Sequence, residues 1–210
     1  MYVPKQFAVT DRQTQIEFIR LTGWGLLTGF IDGAPFVTHL PFLVSGTAGN
    51  EKLVAHMARA NPHWKAFEGG DPQLVVFSGP HAYISPNWYN SSKAVPTWNY
   101  VTAHVYGKPV VIEDPATLYA SQQDLVNHHE AQYDNPWQME YADTEFINGM
   151  LKGIVGFEMA IEQVQCKFKI SQNRPTEDQI SVVESLRASK NTSAKEIADL
   201  MKAHLLEPDD

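Results

Sequence analysis

Cysteine is almost missing from this chain, and its scarcity excludes a whole class of small secreted folds. Cys166 is the single cysteine among 210 residues, so no disulfide can form within the chain. Disulfide scaffolds are therefore excluded, and a reducing cytoplasm is the expected location. The chain also lacks any apolar run near the roughly 18 residues that a membrane span requires, so we expect a soluble, unexported protein with no membrane partner.

A basic excess is missing as well. The sequence holds 16 Lys and Arg residues against 24 Asp and Glu residues, for a formal net charge of −8. Nonspecific affinity for nucleic acid comes from clustered Lys and Arg, so the overall charge does not support a DNA partner, although a local basic patch stays compatible with it. The length suffices for one large domain, or for one domain with an appendage.

An aromatic-rich stretch over residues 74–107 is the most informative part of the chain. We predict strands over 74–77 and 97–105, joined by a loop over 78–96 that Gly, Pro and Ser residues punctuate. Loops held between strands often carry binding groups, and flat rings with polar edges suit a planar ligand. An aromatic barrel core would use the same residues. The rings concerned are His81, Tyr83, Trp88, Tyr89, Trp98 and Tyr100.

The first third of the chain reads as a helix followed by antiparallel strands. Thr10 or Asp11 is expected to cap a helix that Gly23 and Gly25 end. Strands are predicted over 24–31, 35–44 and 52–57, with the Asp32-Gly33 pair as a hairpin turn between the first two. Two sets of side chains are expected to face the body: Ile16, Phe18, Ile19 and Leu21 on the helix, and Phe36, Thr38, Leu40 and Phe42 on the second strand.

A helical turn is predicted after the third strand, because Asn61 is a capping residue placed just before Pro62. Arg59 precedes this turn and Lys65 lies inside it. Helix-terminal N–H groups and cationic side chains together suit a phosphate, but solvated surface cations would look the same in the sequence.

The middle of the chain contains a cluster of potential metal ligands that we do not assign to a metal. A strand over 108–113 and a helix over 115–132 are predicted, and His128-His129-Glu130 lies near the end of that helix. Adjacent residues do not share a helix face, and zinc requires more ligands than this cluster displays, so no metal site is predicted. A short helix over 143–151 and one long strand over 153–170 follow.

Two helices, over about 177–188 and 194–205, are predicted at the end of the chain. Thr176 and Ser193 each begin a capping-box pattern. The pair resembles a helix-turn-helix, yet it holds no excess of basic residues, so packing or dimer formation is favoured over DNA contact. We therefore divide the chain into a barrel-like domain over 1–175 and a helical appendage over 176–210.

The sequence contains six ordered motifs: MYVPKQF, THLPF, HMARANPHWK, FSGPHAYISPNWY, VPTWNY and KFKISQNR. Together they resemble the PaiB family, within the flavin mononucleotide-binding split barrels that are similar to pyridoxamine phosphate oxidases. The resemblance spans residues 1 to about 187 and weakens over the last helix. It implies a mainly β fold with α elements: an antiparallel FMN-binding split β-barrel with peripheral helices and a C-terminal helical pair.

The resemblance also implies a homodimer, with each FMN in a cleft between the subunits. The phosphate site maps onto His56, Arg59 and Lys65, although the longer Ser-Arg-Lys motif of the oxidases is represented here by Arg59 alone. The isoalloxazine ring maps onto two strands. By their position alone, Gln172, Asn173 and Arg174 follow the last predicted barrel strand, where they suit either closure of the neighbouring subunit's cleft or a polar strand terminus. The residues implied for the ring are Thr38, His39, Leu40, Thr97, Trp98, Asn99 and Tyr100.

Two functions stay open at this point. PaiB-like proteins are labelled negative regulators of transcription, which is the interpretation that we favour. The alternative is a flavin-dependent oxidoreductase, an FMN reductase or an oxidase-like enzyme, in which the flavin carries the redox chemistry and the protein orients it. No proton donor stands out in the sequence, so no catalytic residue is predicted. His39 and His104 lie inside strands, where a core or interface role is favoured over that of a general base.

Overall fold

The computed structural model describes residues 1–91 and 93–206, so the last four residues of the appendage predicted over 176–210 lie outside the described residues. The strands are β1 Ala8–Val9, β2 Trp24–Ile31, β3 Ala34–Pro41, β4 Leu43–Ser45, β5 Lys52–Ala58, β6 Gln73–Ile84, β7 Thr97–Gly107, β8 Pro109–Val111, β9 Ile154–Ala160 and β10 Gln163–Lys169. The helices are α1 Arg12–Thr22, α2 Pro115–Glu130, α3 Thr144–Lys152, α4 Thr176–Arg187 and α5 Thr192–Leu206. Short 3-10 helices occur at Lys5–Phe7, Pro62–Phe67, Pro86–Trp88 and Met139–Tyr141.

The chain divides into two compact units. Unit 1 comprises Met1–Phe18, Ser78–His104 and Gln165–Asp210, and unit 2 comprises Ile19–Phe77 and Val105–Val164. The division into two units does not test the domain boundary that we predicted between residues 175 and 176. That boundary stays a prediction. None of the helices within 1–91 and 93–206 is both long and apolar enough to span a lipid bilayer.

Unit 2 is built from antiparallel sheet. One part has the strand order β6–β2–β3, and a four-stranded sheet has the order β4–β5–β9–β8. The β2–β3 hairpin turns at Asp32 and Gly33, whose φ angles of 51° and 77° are both positive. Two positive φ values at the central positions define the turn that matches strand twist, which explains why Asp-Gly predicted this hairpin correctly.

The core of unit 2 follows from alternation along its strands. Leu53, Phe77 and Phe157 are completely buried. The ring of Phe42 packs edge-on against Phe77 at 5.6 Å and against Phe157 at 6.2 Å between centroids. The face of β3 predicted to point inward does so, since Thr38 and Leu40 are buried and Phe36 is half-buried, while His39 on the opposite face is exposed.

Unit 1 combines sheet with the two C-terminal helices. Its strand order is β1–β10–β7–β6, and α4 and α5 pack together on an apolar cluster. Cys166 is buried on β10, opposite Val9 of β1, and burial raises the pKa of its thiol to about 12. The most buried members of the cluster are Ile84, Val182, Leu186, Ile197, Ala198 and Met201.

Three predicted strands or loops differ from the structure. The return strand over 35–44 ends at Pro41, and β4 belongs to another sheet. The single strand over 153–170 is two strands, because the chain turns at Ile161 and Glu162, where the backbone N–H groups donate to the carbonyls of Glu51 and Tyr106. The loop over 78–96 is shorter than predicted, since β6 continues to Ile84.

Details of the helices also required correction. Leu21 is 82% exposed, whereas Ile19 is completely buried, because residues two apart lie on opposite sides of a helix. Gly25 does not end α1 but lies inside β2. Thr176 is the first residue of α4 rather than its cap, and at α5 the Oδ1 atom of Asn191 accepts from the N–H of Ser193.

Candidate functional site

Thr38 anchors the predicted flavin strand of unit 2. Its hydroxyl lies 2.9 Å from Nδ1 of His63 and accepts from the side-chain amide of Asn61 at 3.1 Å. Asn61 also caps the 3-10 helix Pro62–Phe67 by accepting from the N–H of His63. The Thr38–Asn61–His63 group therefore ties β3 to the helical turn. The sequence reasoning missed His63, although it lies within the motif HMARANPHWK.

The strand β3 leaves one of its edges open in unit 2. It is the last strand of the order β6–β2–β3 and pairs with β2 alone within the described residues. Backbone N–H and C=O groups on such an edge are available to a ligand. The predicted residues Thr38, His39 and Leu40 lie on this strand, where His39 is exposed and its ring lies 6.5 Å from the ring of Trp24.

Arg59, the predicted phosphate ligand, already has a structural role in unit 2. Its Nε donates to the carbonyl of Lys152 at 2.9 Å, and its Nη2 donates to the carbonyl of Ile154 at 2.8 Å. These bonds fix the end of α3. An arginine side chain has five N–H donors, so about three remain for an anion. Arg59 lines a pocket of about 880 Å³ together with Trp64 and Lys152.

His56 and Lys65, the other predicted phosphate ligands, differ in character. Burial lowers the pKa of His56, whose Nδ1 has no partner among the described residues. A neutral imidazole is a hydrogen-bonding group rather than a cation. Lys65 is exposed, with its Nζ 5.9 Å from the centre of the Trp64 ring. The indole N–H of Trp64 in turn donates to the backbone carbonyl of Arg59 at 3.0 Å, so the Trp64 side chain contacts the Lys65 cation and the Arg59 backbone.

An aromatic pocket of about 450 Å³ lies in unit 1. The Trp98 ring is 6.1 Å from His81 and 5.9 Å from Tyr83. Residues at the turn between α4 and α5 complete the lining. Ser193 joins the two parts, since its hydroxyl donates to the carbonyl of His81 at 2.9 Å and accepts from the N–H of His81 at 2.7 Å.

The predicted flavin residues of β7 differ in their hydrogen-bond partners and in their exposure. Thr97 and Tyr100 accept hydrogen bonds from lysines of β10, whereas Asn99 is 1% exposed and donates to the hydroxyl of Ser171 at 2.9 Å. Trp98 is 53% exposed. In this conformation Trp98 is the predicted ring contact of β7 that offers a large open surface.

Gln172 and Arg174 shape the turn after β10 in unit 1. The side chain of Gln172 accepts from the N–H of Ile170 and donates to the carbonyl of Phe168. The guanidinium of Arg174 stacks on the Tyr89 ring at 4.4 Å. Whether these residues close the cleft of a neighbouring subunit stays a prediction, as do the roles of all twelve residues assigned to FMN.

The exposed residues His128 and His129 lie side by side near the end of α2. Their rings stand 5.1 Å apart at the end of α2. Within residues 1–91 and 93–206, no group of three or more His, Cys, Asp or Glu side chains is arranged to hold a metal ion.

Comparisons with known proteins show the family of this chain. The family described as "Putative FMN-binding domain" matches residues 1–163. The Bacillus subtilis (strain 168) protein named "Protease synthase and sporulation protein PAI 2" is 37% identical over 205 residues, which cover 98% of each chain. An uncharacterised protein of Emericella nidulans is 31% identical over 80% of this chain and 79% of its own.

Solved structures of low sequence identity share the fold. The flavocytochrome Anf3 from Azotobacter vinelandii has a TM-score of 0.61 at 17% identity, over 85% of this chain and 78% of its own. The FAD and heme binding protein from Mycobacterium smegmatis has a TM-score of 0.55 at 18% identity, over 83% and 78% of the two chains. The predicted fold, an antiparallel split β-barrel with peripheral helices and a C-terminal helical pair, is confirmed.

Proposed function

Because the chain belongs to the PaiB family of FMN-binding domain proteins, we propose that it binds FMN as a cytoplasmic homodimer and acts as a negative regulator of transcription. The observation that carries this proposal is the likeness to PAI 2 over 98% of both chains. The name of that relative refers to protease synthesis and sporulation, which are cellular processes rather than a chemical reaction.

The donor set of unit 2 fits FMN. The open edge of β3 offers backbone donors and acceptors to the polar edge of the ring, and about three N–H groups of Arg59 remain for the phosphate. The unpartnered Nδ1 of His56 provides a further hydrogen-bonding atom. When bound, FMN supplies electron-transfer and hydride-transfer chemistry, and the protein supplies orientation.

The helical pair is assigned to packing rather than to reading DNA. Arg187 of α4 forms an ion pair with Asp199 of α5 at 2.7 Å, which leaves less free positive charge on this surface. Residues 176–205 contain four basic and five acidic residues, so they carry no basic excess. The basic ones are Arg187, Lys190, Lys195 and Lys202, and the acidic ones are Glu177, Asp178, Glu184, Glu196 and Asp199. Direct contact between α4 or α5 and DNA is therefore not part of the proposal.

A flavin titration tests the cofactor site. FMN is added to the purified protein, unbound flavin is removed by desalting, and the absorbance of the retained flavin is recorded. Arg59→Ala is expected to weaken FMN binding by about tenfold, because it removes a charge-assisted contact to the phosphate. It also removes one bond to the end of α3 and one to the start of β9, so circular dichroism must accompany the titration. Arg187→Ala is the control, since it removes an exposed guanidinium from α4 and should leave FMN affinity unchanged.

Equal FMN affinity of Arg59→Ala and the wild type would remove Arg59 from the site.

The regulatory role has a separate test, in which transcripts are compared between cells with and without the gene. Transcripts that rise on deletion and fall on complementation support a negative regulator. Unchanged transcripts, together with a retained flavin that NADH or NADPH bleaches under anaerobic conditions, would favour the oxidoreductase instead.

A further inference from the structure

The strand β10 places two lysines on one face of unit 1. Lys167 and Lys169 are two residues apart and therefore point to the same side, whereas Phe168 points to the other side and packs edge-on against Phe18 at 5.4 Å. The Nζ of Lys169 donates to the Thr97 hydroxyl at 2.6 Å. The Nζ of Lys167 donates to the Tyr100 hydroxyl at 2.7 Å.

A third cation, Arg174, follows β10 directly after the turn that the Gln172 side chain holds. Burial lowers the pKa of Lys169, and the positive charges of Lys167 and Arg174 lower it further. The central carbon of the Arg174 guanidinium lies over the Tyr89 ring, 4.4 Å from the ring centre, so the charge contacts an aromatic ring.

No acidic side chain compensates this group within residues 1–91 and 93–206. Lys167 is only 6% exposed, and its polar contacts are the Tyr100 hydroxyl and the Tyr2 carbonyl. Neutral oxygens of this kind solvate a cation without neutralising it. Buried lysines are rarely left unpaired, because the transfer of a lone charge from water is costly. Elsewhere in the described chain cations do find partners, as Lys52 does with Glu158.

We propose that Lys167, Lys169 and Arg174 form an anion-binding site in unit 1 that takes the phosphate group of a small molecule. Lys169 uses two of its three N–H donors on Thr97 and on the carbonyl of Trp98, so one remains for a phosphate oxygen. The guanidinium of Arg174 offers the paired donors that phosphate oxygens prefer. This site goes beyond the proposed function, and none of its cations except Arg174 was assigned to FMN.

Calorimetric titration of flavin-free, full-length protein with inorganic phosphate tests the site at fixed ionic strength. Saturable binding is expected for the wild type, and Lys169→Gln should weaken it by about tenfold or more through loss of a charged donor. Lys190→Gln serves as the matched control, because Lys190 is an exposed lysine of the same unit between α4 and α5. It should bind phosphate as the wild type does.

Lys169→Arg is the control that separates loss of the positive charge from a disturbance of the fold by Lys169→Gln. It keeps the positive charge and should retain binding within about threefold, with a circular dichroism spectrum like that of Lys169→Gln. Absence of saturable binding to the wild type would overturn the proposal, and so would equal affinities for Lys169→Gln and Lys190→Gln.

The phosphate group has two possible sources, and a second titration separates them. Inorganic phosphate is added to protein saturated with FMN. If FMN blocks the phosphate, and if Lys169→Gln also weakens FMN binding, the site holds the phosphate of the flavin itself. If phosphate still binds, the site serves a separate phosphorylated molecule. A failure of FMN to bind at all would overturn the proposed cofactor role but would leave the first titration valid.

Discussion

His63 is a buried ring that joins two parts of the candidate flavin site. It is completely buried, with Nδ1 beside the hydroxyl of Thr38, while its Nε2 has no partner among the described residues. A protonated imidazole would place a charge in this apolar environment, so burial lowers the pKa of His63. The native state therefore favours neutral His63, in which one ring nitrogen carries a proton and the other does not.

Stability is accordingly expected to depend on pH in the neutral range. Burial also lowers the pKa of His56 and of His104, and the N-terminal charge adds to the effect at His104. A histidine that is free in solution has a pKa of 6.5. Below that value the unfolded chain binds protons that the native state does not bind, so the free energy of unfolding should fall between pH 7.5 and pH 5.5. Urea unfolding at the two pH values, at one ionic strength, measures the difference.

Two variants show whether the buried rings cause this dependence. His128→Asn changes an exposed histidine at the end of α2 and should keep the wild-type difference between the two pH values. His63→Gln should be less stable at pH 7.5 and should lose less on acidification. The carboxyl groups of Asp11 and Asp114 do not confuse the measurement, because their hydrogen bonds to Thr14 and Thr117 lower their pKa values from 3.8. Equal stability of the wild type at both pH values would contradict the argument.

At the scale of the elements, Gly107 lies where the backbones of β7 and β9 come close together in unit 2. A Cβ atom at this last residue of β7 would lie 2.0 Å from the carbonyl oxygen of Ala160, at the end of β9. Backbone cannot move aside as a flexible side chain can. Gly107→Ala should therefore lower the free energy of unfolding by about 2 kcal/mol or more.

Gly149→Ala is the matched control for that change. Gly149 lies in α3, and a Cβ atom there would meet no atom within 4 Å. Alanine restricts the unfolded chain and favours helix, so this variant should be more stable by about 0.5–1 kcal/mol. Urea unfolding at pH 7.5 compares the two variants with the wild type. A Gly107→Ala protein as stable as the wild type would show that β7 and β9 can separate at this point.

Short sequence patterns predicted correctly those turns and helix ends that neighbouring residues determine. The β2–β3 hairpin follows from Asp32 and Gly33, and α2 begins where Asp114 precedes Pro115. The division of 153–170 into two strands depends instead on carbonyl groups of Glu51 and Tyr106, which are distant in sequence. Periodicity contains no information about such partners, and it therefore joined β9 and β10 into one strand.

The candidate site shows the same limit. Resemblance pointed to Thr38 and Arg59, but it did not reveal that Arg59 also holds the end of α3. The alternation in KFK places Lys167 and Lys169 on one face of a strand, which was a usable signal. Their lack of an acidic partner within the described chain depends on the surrounding elements and is visible only in the structure.

At the scale of the whole molecule, the proposed homodimer has a direct test. Light scattering after size-exclusion chromatography, with and without FMN, should give twice the 23.6 kDa chain mass. Trp24 is 56% exposed, and its ring lies near that of His39, a residue assigned to the flavin. Trp24→Glu should therefore weaken both dimer formation and FMN retention by about tenfold or more, because a charge would replace an apolar surface in a shared cleft.

Tyr133→Glu is the corresponding control. Tyr133 is 58% exposed and follows α2, so the same charge is added at a similar degree of exposure. This variant should keep the mass and the flavin of the wild type. A wild-type chain that stays monomeric at all concentrations, with or without FMN, would rule out the shared-cleft arrangement.

The state of Cys166 has a practical consequence for studying the chain in solution. Its buried thiol, with a pKa of about 12, is almost entirely unreactive toward maleimides and other alkylating reagents at neutral pH. A second cysteine engineered on an exposed side chain would then be the sole target of a thiol-directed label. Fluorophores or spin labels can thus be attached in the natural background, where they would report distance changes on cofactor addition without prior removal of the native cysteine.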